Sequence, residues 1–77
     1  MPAAEPSPAA RFTGEAEARL AAYEAFAAGV RAELADVQAR MDALRADNRV
    51  KTATYRQLFA ARVTLRDIDR RLAERGL

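Results

Sequence analysis

The stretch Leu20–Leu44, LAAYEAFAAGVRAELADVQARMDAL, decides the fold. Its apolar residues Leu20, Tyr23, Ala27, Val30, Leu34, Val37, Met41 and Leu44 follow a 3-4-3-4-3-4-3 spacing without a slip. That spacing is the a/d seam of four consecutive heptads, which holds one apolar edge of an α-helix toward a partner. The chain is therefore expected to be all-α and to need something to pack against. Phe26, at a g position, widens the stripe from a two-stranded seam toward a bundle face.

Helix 1 is predicted from about Gly14 to Ala46, with Thr13 as N-cap and Glu15 and Glu17 in the first turn, where negative charge meets the positive end of the helix dipole. Its weak point is Gly29, which costs about 1 kcal/mol of helix propensity. The seam breaks at Asp47-Asn48, and asparagine is the commonest non-glycine residue in a left-handed C-terminal cap. A connection of six to eight residues follows. Thr54-Tyr55-Arg56-Gln57 fits a capping box, so helix 2 is predicted from about Tyr55 to Arg75, with Gly76 just past its end.

In helix 2, Leu58, Ala61, Leu65, Ile68 and Leu72 make a second 3-4 seam, whereas Tyr55, Phe59 and Val63 lie well around the cylinder from it. The apolar face turns near Val63, and Thr64-Leu65-Arg66-Asp67 resembles another N-cap. Because neither Gly nor Pro interrupts the segment, a continuous helix is expected rather than a kink.

Residues 1–12 carry all three prolines, at Pro2, Pro6 and Pro8, among Ala, Ser and Glu, and are expected to form a disordered tail before a helical domain at 13–77. That start also lacks the charged opening and apolar core of a secretory signal, and no run approaches the roughly 20 apolar residues that span a bilayer. A cytoplasmic protein with no membrane partner is expected.

Of the 77 residues 51% are hydrophobic, but 20 are alanine, so the core must be thin. A small domain short of core adds disulfides, a metal or oligomerisation, and this one has neither Cys nor His. Residues 1–44 hold four arginines against seven acids, and residues 45–77 hold nine cations against four acids. An antiparallel hairpin would set these segments side by side. In a parallel homodimer of helix 1, by contrast, Arg19 with Glu24 would attract while Arg40 with Arg45 would repel. A hairpin leaves Leu20 and Tyr23 uncovered, since helix 2 is shorter. Two hairpins forming a four-helix bundle or coiled-coil-like assembly would cover them, with another helical protein as the alternative partner.

No catalytic, cofactor-binding or metal-ligating residues are predicted. There is no nucleophile-base pair and no glycine-rich phosphate loop, and the acids follow the polar faces. The interaction seam is Leu20, Tyr23, Val30, Leu34, Val37, Met41, Leu44, Leu58, Leu65, Ile68 and Leu72. The competing reading is a nucleic-acid binder using Arg56, Arg62, Arg66 and Arg70 of the basic second half. Thr64–Leu72 resembles the opening helix of a bacterial helix-turn-helix, but the turn and reader helix that such a motif needs do not follow.

The stretch Lys51–Leu58, with Arg62-Val63-Thr64-Leu65 and Gly76-Leu77, resembles the C-terminal half of short bacterial helical proteins without an assigned function, over roughly 27 of 77 residues. This resemblance implies a small helical protein and carries no site. The reading from sequence is a non-enzymatic helical module that self-associates or binds a partner helix.

Overall fold

The computed structural model describes the backbone of residues 8–77 and the side chains of residues 12–77. It is a hairpin of two helices, α1 (Pro8–Ala46) and α2 (Ala53–Glu74), joined by the six residues 47–52. At 1.5 Å per residue α1 is about 58 Å long and α2 about 33 Å. The chain is a long rod with a shorter one laid along its second half.

Helix α1 begins at Pro8, six residues before the Gly14 start expected with Thr13 as N-cap. Proline is tolerated in the first turn because its missing N–H would be unpaired there in any case, and the alanine-rich residues after it favour helix. Thr13 thus lies inside α1. The part of the expected tail at residues 1–7 lies outside the described residues. Gly29 is passed without interruption, and a Cβ built on it meets nothing within 4 Å.

Both helices end in the same way. At the end of α1, Asn48 takes φ 57°, its N–H donates to the Arg45 carbonyl at 3.0 Å, and the Arg49 N–H donates to the Leu44 carbonyl at 2.7 Å. At the end of α2, Gly76 takes φ 79°, its N–H donates to Ala73 at 3.0 Å and the Leu77 N–H to Leu72 at 3.0 Å. This is the Schellman arrangement, in which a left-handed residue lets the chain turn back and satisfy the last carbonyls. Leu77 is accordingly folded back and half-buried.

The N-cap of α2 is Thr52, a correction to the Thr54 expected. Thr52 has extended backbone (φ −81°, ψ 156°), and its hydroxyl accepts from the Tyr55 N–H at 3.2 Å while donating to the Arg49 carbonyl at 2.9 Å. One side chain thereby closes the connection and opens the helix. Thr54 lies inside the helix, two residues beyond the cap. The second N-cap signal is also unused: the Thr64 hydroxyl donates to the Ala60 carbonyl at 3.3 Å, a bond made within a helix, and α2 runs through without a break.

Three polar bonds fix the pairing. Arg31 Nε donates to Asp69 Oδ1 at 2.7 Å, Arg62 to Gln38 Oε1 at 3.2 Å, and Arg45 Nε to the Tyr55 hydroxyl at 3.0 Å. Positions 31, 38 and 45 are successive heptad equivalents on α1, and 69, 62 and 55 descend in the same steps on α2. The helices are therefore antiparallel, and residue i of α1 lies level with residue 100 − i of α2. Between them lies the thin core: Ala27, Val30 and Met41 are buried, and Leu34, Val37, Leu44, Leu58, Ala61, Leu65, Ile68 and Leu72 are half-buried.

Candidate interaction surface

The pairing register places the end of α2, Glu74, level with position 26 of α1. Some 18 residues of α1, from Pro8 to about Ala25, therefore project beyond α2, a length of about 27 Å. The apolar stripe does not stop where its cover stops. Phe12, Leu20, Tyr23 and Phe26 are 71%, 50%, 58% and 55% exposed, on the same arc of α1 that carries Val30, Leu34 and Met41 farther along. At about 100° per residue all seven fall within roughly 120° of the circumference.

The seam read from sequence is thus divided. From Val30 onward, with Leu58, Leu65, Ile68 and Leu72 opposite, it is consumed by the hairpin; Leu20 and Tyr23 lie on the projection. Phe12 extends the exposed stripe by two turns. The sequence held its signal, since Phe12 and Phe26 are 14 residues apart and so at one heptad position, but an expected helix start at about Gly14 hid it.

A second exposed apolar patch lies on the outer side of α2, where Phe59 is 47% and Val63 56% exposed. Arg56 and Arg66 edge it, and the four residues span about 80° of the helix. The Arg62 guanidinium lies 4.9 Å from the centre of the Phe59 ring, within cation–π range. Residues 48–66 contain five cations, Arg49, Lys51, Arg56, Arg62 and Arg66, and no carboxylate. The first turn of α2 carries no acid either, so the positive end of its dipole adds to this field.

The four arginines singled out from sequence occupy different settings. Arg56 and Arg66 make no side-chain hydrogen bond or ion pair among the described residues. Arg62 is held by Gln38 and Phe59. Arg70 is spent within its own helix, on Asp67 at 2.7 Å and Glu74 at 2.6 Å. Arg71 also reaches Asp67, at 3.0 Å. The bond from Arg70 holds the Asp67 carboxyl below its ordinary range against an opposing cost of desolvation, with Arg71 adding to the lowering; Asp67 and Glu74 in turn raise Arg70.

Within the hairpin, and among the described residues, the arginines of α2 form no ion pair with the acids of α1, although the charge segregation pointed to such pairing within or between chains. Among the described residues the one cross-helix ion pair runs the other way, from Arg31 of α1 to Asp69 of α2. The α1 acids Glu15 and Asp36 pair with Arg19 and Arg40 one turn on. Glu17 and Glu24, seven residues apart and so on one flank of the projecting stripe, have no side-chain partner among the described residues. Charge segregation along the sequence thus persists as two separate surfaces instead of cancelling between the helices.

Among the described residues no group of three or more His, Cys, Asp or Glu is placed to hold a metal ion, and no helix is long and apolar enough to cross a membrane. No protein-family model, curated protein or solved structure matches this chain. The surface itself must carry the functional argument.

Proposed function

We propose that the protein is a helical interaction module which self-associates through the projecting half of α1. One observation carries the reading: an apolar stripe continuous with the hairpin core runs on from Phe26 back to Phe12 with nothing among the described residues over it. Four large side chains at half exposure or more amount to an apolar patch of roughly 400 Å², within the range of the largest patches on monomeric proteins, which are often functional. A thin core, with Ala27, Val30 and Met41 the buried residues among those described, adds support, because burial of the stripe supplies apolar contact that the hairpin lacks.

Sedimentation equilibrium over a concentration series is the test. Twice the chain mass of 8.4 kDa is expected at micromolar concentration, and Tyr23→Ser with Leu20→Ser should shift the equilibrium to the single chain while circular dichroism stays helical. A wild-type chain that remains single at all concentrations overturns self-association.

The competing reading, phosphate-backbone binding by the second half, has its own observation, the five cations of residues 48–66 with no acid among them. A surface of that kind loses affinity with a log-log salt slope near −0.9 per phosphate contact on duplex DNA.

A further inference from the structure

Resting on that reading, we propose that the projecting stripe of α1 is covered by the outer face of α2 from a second copy, reciprocally, about a two-fold axis at the C-terminal ends of the two α2 helices. The two patches match in chemistry. The projection offers Phe12, Leu20, Tyr23 and Phe26 flanked by Glu17 and Glu24, and the outer face of α2 offers Phe59 and Val63 edged by Arg56 and Arg66, the four charged residues having no side-chain partner among the described residues. An antiparallel pairing of projection against projection would instead set these glutamates against one another. Like charges at an interface select against a pairing, and opposite charges select for it.

The lengths also fit. The uncovered part of α1 is about 27 Å and α2 about 33 Å. In the two-fold arrangement each α1 spans the whole assembly, and the two α2 helices lie end to end between them. Each α2 then has its inner face on its own α1 and its outer face on the partner's projection. The turn at Gly76 folds Leu77 back toward α1, where Arg31 donates to its main-chain oxygen at 2.9 Å, so the chain leaves the axis of α2 at that point. A single projection-on-α2 contact, about 27 Å long and about one helix diameter of 10 Å wide, covers roughly 500 Å² over both copies. Specific interfaces need about 1,000 Å² or more, and the two-fold repeat supplies the second half.

The register follows from the same geometry. With the α2 ends meeting at position 26 of α1, residue k of one copy's α2 lies near residue k − 48 of the other copy's α1. Phe59 then falls within one residue of Phe12, and Arg66 within one residue of Glu17. Within one chain these residues are far apart: Phe59 is level with position 41, about 43 Å along the axis from Phe12.

Charge exchange tests the assignment. Arg66→Glu should weaken association about tenfold or more, Glu17→Arg should do the same, and the double variant should restore it. Neither side chain has a partner among the described residues, so helicity by circular dichroism should be unchanged in all three. Since the chain has no cysteine, Phe12→Cys with Phe59→Cys in one chain should give an inter-chain disulfide on mild oxidation. A wild-type chain that stays single at every concentration overturns the underlying reading of self-association. A dimer that ignores Arg66→Glu, or is not restored by the double variant, overturns this docking mode and leaves self-association standing. Duplex DNA bound at physiological salt, released by Arg66→Glu and not recovered with Glu17→Arg, would assign the outer face of α2 to a polyanion and equally overturn the proposal.

Discussion

Arg31 and Asp69 are 38 positions apart in sequence and 2.7 Å apart in space. Their pair locks α1 to the last turns of α2, and Arg31 also donates to the main-chain oxygen of Leu77 at 2.9 Å. Each side chain keeps a third or more of its surface in water, at 43% and 34% exposure, so the ionic part is screened. A double-mutant cycle with Arg31→Ala and Asp69→Ala should return a coupling energy of about 0.2 to 1 kcal/mol. Arg31→Ala should cost more than Asp69→Ala, because it also releases Leu77. Equal single-variant costs in urea unfolding would show that the Leu77 contact contributes nothing.

Thr52 and Thr54 provide an internal comparison. Thr52→Ala removes the acceptor for the Tyr55 N–H and the donor to the Arg49 carbonyl together, and should cost about 1 kcal/mol in thermal or urea unfolding. Thr54→Ala, inside α2, should be neutral or slightly stabilising, since alanine is the better helix former. A larger loss at Thr54 would return the cap to that residue.

How far the sequence foretold this arrangement depends on the kind of signal. The seam from Val30 to Leu44 and its counterpart from Leu58 to Leu72 were legible because packing repeats every three or four residues, and Asn48 and Gly76 were legible because few residues tolerate a left-handed backbone. The cap went to Thr52 over Thr54 because only Thr52 can also bond back to Arg49, a relation between turn and helix that a four-residue motif does not contain. The start at Pro8 was missed because proline, read as a breaker, is neutral in a first turn. Charge segregation suggested cross-helix pairing, but direction around each helix decides partners: Arg56 and Arg66 point away from α1, beside Phe59 and Val63. The exposed stripe was partly legible, in that a shorter second helix leaves Leu20 and Tyr23 uncovered.

Asp67 makes the stability of α2 depend on acid. Its carboxyl is held below its ordinary range chiefly by the hydrogen bond from Arg70. A group with a depressed folded-state pKa contributes stability that is fully present above its unfolded value, about 3.9, and is lost as pH falls through the folded value. The melting temperature should therefore decline below about pH 4, and Asp67→Asn should flatten that decline. Parallel profiles for the two proteins between pH 2 and 6 would mean that the Arg70 and Arg71 bonds do not persist in solution.

Gly29 and Asn48 test the backbone at two points. A methyl group added at Gly29 meets nothing within 4 Å in a helical, exposed setting, so Gly29→Ala should stabilise α1 by about 0.5 to 1 kcal/mol. Asn48, at φ 57°, should lose about 1 kcal/mol as alanine and be unchanged or improved as glycine. If Asn48→Ala unfolds no more readily than the wild type in urea, the turn does not hold its left-handed residue.

Burial separates the two uses of the α1 stripe. Met41 is fully buried between the helices, and Met41→Ala should cost about 2 to 5 kcal/mol through lost transfer energy and the cavity left behind. In a hairpin with so thin a core that loss should abolish the cooperative melt. Leu34, half-buried on the same seam, should lose less as alanine. Tyr23 lies on the uncovered arc at 58% exposure, so Tyr23→Ser should leave the melt of the dilute single chain within about 0.5 kcal/mol. Its effect should appear only where chains associate, as a loss of the concentration dependence of the melting temperature that linkage imposes on any self-associating protein. If Tyr23→Ser lowered the melt equally at all concentrations, Tyr23 would serve the hairpin and not an interface.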